Sequence, residues 1–136
     1  MFDNKLVAVL NEKLQPGVAM NALAHMSIGI GATIGREPLQ LMTYEDASGT
    51  KHSNISEMPF MILRANSNKL RALRIACMEQ NIKFVDFTDT MTVGSYIEQI
   101  EKTKQTQEEN LIYYGVVLFG PWDAVTELTR KFSLWK

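Results

Sequence analysis

Cysteine is almost missing from this chain of 136 residues: Cys77 stands alone, so no disulfide can form within it and a fold stapled by bridges is excluded. Proline is scarce, with four residues, and charge of either sign is close to balance, with a formal net charge of −1. A dedicated nucleic-acid binder is usually basic overall, so that class is disfavoured. No uninterrupted apolar stretch approaches the ~18 residues of a membrane span. Met1 to Lys5 leads straight into a strand-like run without a basic, signal-like start. A cytoplasmic protein with no membrane partner is therefore expected. Histidine occurs only at His25 and His52, and with Cys77 these lack ligand spacing, so neither a metal nor a cofactor is expected.

What is present is enough for a core. Apolar residues make up 46% and charged residues 21%, ordinary values for a single folded domain spanning 1–136. Lys5 to Leu10 is a continuous apolar run of strand length, the mark of a strand covered on both faces. Pro16 opens a helix to about Ala32 that is apolar on nearly every side, and such a helix is normally buried. Leu39 to Tyr44 alternates as a half-buried strand, Asp46 to Gly49 supplies a turn, and Lys51 to Ile55 returns. Phe60 to Leu63 reads as a buried strand. Asn66-Ser67-Asn68 caps a helix carrying Leu70, Leu73 and Cys77.

Ile82 to Phe87 is a further strand. Ser95 and Glu98 form a capping box for a helix with the stripe Tyr96, Ile97 and Ile100, and Glu98 stands four before Lys102. Leu111 to Phe119 is an apolar strand interrupted by Gly115, and Gly120-Pro121 opens the last helix. Strands alternating with helices predict a three-layer α/β/α sandwich, and the hairpin makes its small sheet mixed.

Several residues invite a chemical reading. Gly29, Gly31 and Gly35 imitate a dinucleotide loop, but they end a helix instead of following a strand, which removes the mechanism. Arg64, Lys69, Arg71, Arg74 and Lys83 face a single acid, Glu79, and read as a solvated face before a phosphate-binding one; RNA is a disfavoured partner. Asn21 and His25 stand one turn apart and share a helix face. They serve either to set the helix's position or to line a cleft at the strand ends, where open α/β sheets hold ligands. Asp86, Asp89, Thr90 and Thr92 gather where a strand gives way to a loop, able to bind a ligand or to cap the next helix. Eight methionines and Trp135 could dress a homodimer interface.

The order of these motifs resembles type II peptidyl-tRNA hydrolases over roughly two-thirds of the chain. Lys5 to Leu10 followed by a helix entered through Gly17 looks like their opening. Phe60 to Ser67 is similar to their strand-into-helix passage, and Val116 to Pro121 with Phe132 to Trp135 is similar to their C-terminal pattern. A nearer likeness is to an uncharacterised bacterial family of that fold, in Asn11 to Gly17, Asn21, His25 and Lys131 to Trp135. The resemblance implies a hydrolase-like fold, yet Val18 stands where the enzymes carry a lysine and Ala22 where they carry a glutamine. Their aspartate maps to Asp89 and their threonine to Thr92, residues that would be catalytic if the chain is a hydrolase. The segment 94–110 replaces a short loop, and the hairpin around Gly49 replaces helical structure. The resemblance implies that the lysine acts on the ester carbonyl, and losing an electrostatic stabiliser of that kind costs ~10²–10³ in rate. The reading that results is a binding protein for a small polar ligand held by Gly17, Asn21, His25, Asp89 and Thr92. The alternative is a divergent hydrolase of an acyl ester or amide, with tRNA as one substrate.

Overall fold

A computed structural model describes residues 2–136. Strand β1 (Asn4–Asn11) is the spine, and from Lys5 onward every one of its residues is buried. It pairs in parallel with β4 (Phe60–Ala65) and antiparallel with β6 (Tyr113–Pro121). β5 (Lys83–Thr88) lies antiparallel outside β6, and the short β7 (Ser133–Leu134) outside β4. The order is β5-β6-β1-β4-β7, a five-stranded mixed sheet.

Side chains alternate across β1, so Leu6, Ala8 and Leu10 enter one core while Val7 and Val9 enter the other. Helix α1 (Pro16–Ile34) covers the first face through Ala19, Ala22, Met26 and Ile30. Helices α2 (Ser67–Glu79) and α4 (Trp122–Thr129) cover the second, with Leu70, Leu73, Cys77 and Val125. The chain crosses from β1 over α1 to β4, then returns over α2 to β5. The two crossovers travel in opposite directions along the sheet and lie on opposite faces, as a shared hand requires, which gives the three layers. The expected mixed α/β layering is what the structure has.

Five features differ from expectation. β4, read as a buried strand, buries Leu63 but leaves Phe60 exposed and Met61 and Ile62 half-buried, because the short β7 flanks it only at Leu63 and Arg64. Helix α1 is long and apolar enough to meet the length and composition of a membrane-crossing helix. It nevertheless lies on the sheet, with one face in the core and Val18, Met20, Asn21, His25 and Ile28 exposed. Composition overstated its burial because only one face of the helix meets the sheet, which leaves apolar side chains of the other face in solvent.

β2 (Leu41–Glu45) and β3 (Lys51–Ser56) form a separate two-stranded ribbon that is mostly exposed, not a half-buried part of the main sheet. Its turn is as expected, with Gly49 at φ +83°. Gly115 does not interrupt β6; it pairs with Leu10 and Phe87 inside the sheet. A Cβ there would lie 2.6 Å from Met26 Cε and 2.9 Å from Leu10 Cδ2, so glycine makes room for the α1 contact. Trp135, offered by the sequence to an exposed homodimer interface, is half-buried against the α1-side core, and its amide donates to the Ile62 carbonyl at 2.9 Å.

Candidate functional site

Helix α3 (Tyr96–Gln105) begins at the capping box that Ser95 and Glu98 announce. The Glu98 carboxylate accepts from the Ser95 amide at 3.0 Å and is held below the usual carboxylate range by that bond, so it serves the cap and forms no ion pair with Lys102 among the described residues. No residue of α3 is buried. A chain of hydroxyls anchors it: Thr103 Oγ1 reaches Thr90 Oγ1 at 2.8 Å, and Thr90 meets Thr88 at 2.8 Å. Thr88 and Thr90 are buried, so this polar chain satisfies groups that would otherwise lack partners.

Between α3 and α1 the anchor leaves a cleft of about 530 Å³. His25 from α1, Phe87 from the end of β5 and Met91 from the 3-10 turn Asp89–Met91 line one side; Tyr96, Gln99, Ile100, Thr103 and Lys104 line the other. The α3 contributors recur one turn apart and so share a face. His25 stacks on Phe87 with centroids 5.7 Å apart and planes at 26°, and Tyr114 extends the array behind Phe87 at 6.2 Å. Tyr96 is 76% exposed and Ile100 42%, so apolar surface is left facing the opening. Such clefts, mostly apolar with a few polar groups, are the usual form of small-molecule sites.

The structure scatters the other residues singled out from the sequence. Gly17 and Asn21 sit exposed in the first two turns of α1, outside the walls of this cleft. Asp89 lies between the two lining residues Phe87 and Met91, but one of its carboxylate oxygens accepts from the Ile112 amide at 3.1 Å, while its own amide donates to the Ile112 carbonyl at 2.9 Å. This reciprocal clamp closes β5 onto the start of β6, beside the register shift between Phe87 and Thr88. Thr92 is half-buried at the end of the 3-10 turn. Asp86 pairs with Arg74 at 2.7 Å, and Arg71 pairs with Glu108 at 3.0 Å and donates to the Leu111 carbonyl at 2.6 Å. Two of the five basic residues are thus structural. Cys77 is buried under α2, and burial pushes its thiol up to about 11. His52 binds Asp46 on the ribbon.

A family model described as "Protein of unknown function (DUF2000)" matches residues 4–136. The chain belongs to that family. Among solved structures, a protein of unknown function from Agrobacterium tumefaciens is similar over 100% of both chains, with a TM-score of 0.85 and 20% identity, which shows a shared fold. No curated protein matches. For this DUF2000 member, Phe87, Met91 and the whole α3 wall went unrecognised in the sequence. The available signal was the Tyr96-Ile97-Ile100 stripe, an apolar helix face in an otherwise charged segment.

Proposed function

We propose that this protein binds a small, largely apolar ligand with a planar ring in the cleft between α1 and α3. The observation that carries the reading is the stacked His25–Phe87 pair beneath the exposed Tyr96 and Ile100. A ring entering there extends an existing stack. Every ~100 Å² of apolar surface it covers contributes roughly 2.5 kcal/mol before the costs of association. Gln99 and Lys104 place polar groups on the wall, where they set orientation for a polar or anionic end. The ligand class inferred from sequence shifts accordingly, from mainly polar to mainly apolar, with His25 retained from the original set. Helix α3, attached through Thr103 and without a buried residue, is proposed as the lid over this cleft.

A type II peptidyl-tRNA hydrolase fold is part of the same proposal, supported by the motif order: β1 entering α1 past Gly17, and β4 entering α2 through Asn66 and Ser67. Binding is favoured over turnover because Val18 stands at the lysine position and Asp89 is clamped to Ile112 instead of lining the cleft. A thermal-shift screen with one- and two-ring aromatic fragments, followed by amide chemical-shift mapping, tests the reading. Stabilising fragments should perturb residues 25, 87, 91 and 96–104, and His25→Ala and Tyr96→Ala should each weaken them while Asn21→Ala does not. Perturbation elsewhere, or indifference to both substitutions, would sink it. Release of the acyl group from a peptidyl-tRNA analogue, abolished by Asp89→Asn, would instead establish a hydrolase.

A further inference from the structure

A second site follows from the topology, on the opposite face of the sheet from α3. β1 and β4 are parallel neighbours, with Leu10 beside Arg64 and Asn11 beside Ala65 at their C-terminal ends. From there β1 runs to α1 on one face and β4 to α2 on the other. Chains that diverge in this way open a crevice outside the strand ends, the usual ligand position in open α/β sheets. Here that crevice measures about 250 Å³ and is walled by Arg64, Lys69, Lys131 and Glu12, with Phe132 at its side. Three cations meet one carboxylate. None of the three cations forms an ion pair among the described residues, whereas Arg71, Arg74 and Arg130 each have a carboxylate partner. Arg36 likewise has no carboxylate partner among the described residues and donates to the neutral Asn54 side chain, so what marks the crevice is the convergence of three cations on one hollow.

The crevice continues into a second hollow of about 280 Å³ between α2 and α4, which shares Lys69, Lys131 and Phe132 with it. The floor of that trough is apolar, formed by Leu73 and Leu128, and Ala72 and Ala76, one turn apart, leave it open. A cationic mouth joined to an apolar trough fits one molecule with both characters. We propose that the crevice at the ends of β1 and β4 binds the phosphate of a small phosphomonoester whose apolar body lies in the trough between α2 and α4. A phosphate carries roughly −1.5 to −2 charges and three acceptor oxygens, which suits three converging cations better than a carboxylate would. The split of the basic run explains the arrangement: Arg71 and Arg74 brace α2, while Arg64 and Lys69 join Lys131, brought alongside by the pairing of β7 with β4.

The test uses the full chain, titrated with phenyl phosphate, inorganic phosphate and benzyl alcohol and followed by amide chemical shifts and calorimetry. Phenyl phosphate should bind most tightly, perturb residues 64–69 and 131–133, and weaken with added salt. Arg64→Gln and Lys131→Gln are changes of exposed side chains, and each should weaken binding about tenfold with an unchanged melting temperature. Lys102→Gln should have no effect. Ala72→Leu, which narrows the trough, should remove the advantage of phenyl phosphate over inorganic phosphate. Absence of saturable binding, or equal affinity in Arg64→Gln and Lys131→Gln, overturns the site. Equal affinity of the natural protein for the two phosphates overturns the trough.

Discussion

Helices α2 and α3 begin alike and end up in opposite situations. Each has a side-chain cap that takes an amide of its first turn, Asn66 for Lys69 and Ser95 for Glu98. Each carries an apolar stripe on an otherwise polar helix. Yet α2 buries Leu70, Leu73 and Cys77 and is braced by Arg71 and Arg74, whereas α3 buries nothing and hangs on one threonine. A cap and a stripe therefore specify that a helix forms, and say little about how firmly it is docked. The weakly docked helix is the one that walls the cleft, in keeping with binding elements being drawn from the less stable parts of a fold.

The contrast is broken most severely at Leu70. It is fully buried, and Leu70→Ala should cost about 2–5 kcal/mol of global stability by urea unfolding. Tyr113 gives the next largest effect. Burial, then its hydrogen bond to Glu108 at 2.7 Å, pushes its hydroxyl up to about 12. A raised value in the fold means that the contribution is complete below the ordinary tyrosine range and fades as pH rises through about 12. Tyr113→Phe should cost about 1.5 kcal/mol at neutral pH, and that difference should vanish on the alkaline limb of a stability–pH profile. Glu108 behaves in the opposite sense. Tyr113 and Arg71 hold its carboxyl below the usual range, so its contribution is present at neutral pH and is lost in acid, where Tyr113→Phe should again resemble the natural protein.

On α3 the effects should be smaller and local. Ser95→Ala removes the cap, worth about 1 kcal/mol to the helix, and should speed amide exchange across 96–105 while leaving the urea midpoint in place. Ile97 is 70% exposed, and Ile97→Ala should change global stability by less than about 0.5 kcal/mol. A large loss of stability from Ile97→Ala would show that α3 is docked as firmly as α2.

Local chemistry made much of the fold readable. The uninterrupted run of β1 announced a strand covered on both faces, and Asn66, Ser95 and the Asp46–Gly49 turn marked their boundaries within a few residues. Of the candidate site, His25 was legible because a polar residue on an apolar helix is conspicuous. Phe87 and Met91 were not, since an apolar residue on a strand or turn reads as core whether or not a cleft opens beside it. Asp89 shows the converse. A carboxylate after a strand suggests chemistry, and only the pairing of β5 with β6 reveals that it clamps Ile112.

Periodicity, caps and turn residues act over a few positions, and so the sequence by itself determined which segments are helices and strands and that they form a layered α/β domain. Which face of α1 meets the sheet, which arginines are taken by carboxylates and where Lys131 arrives depend on segments far apart in the chain. Those were decided only in the tertiary structure, because burial and ion pairing are properties of neighbours that the fold, and not the local sequence, supplies.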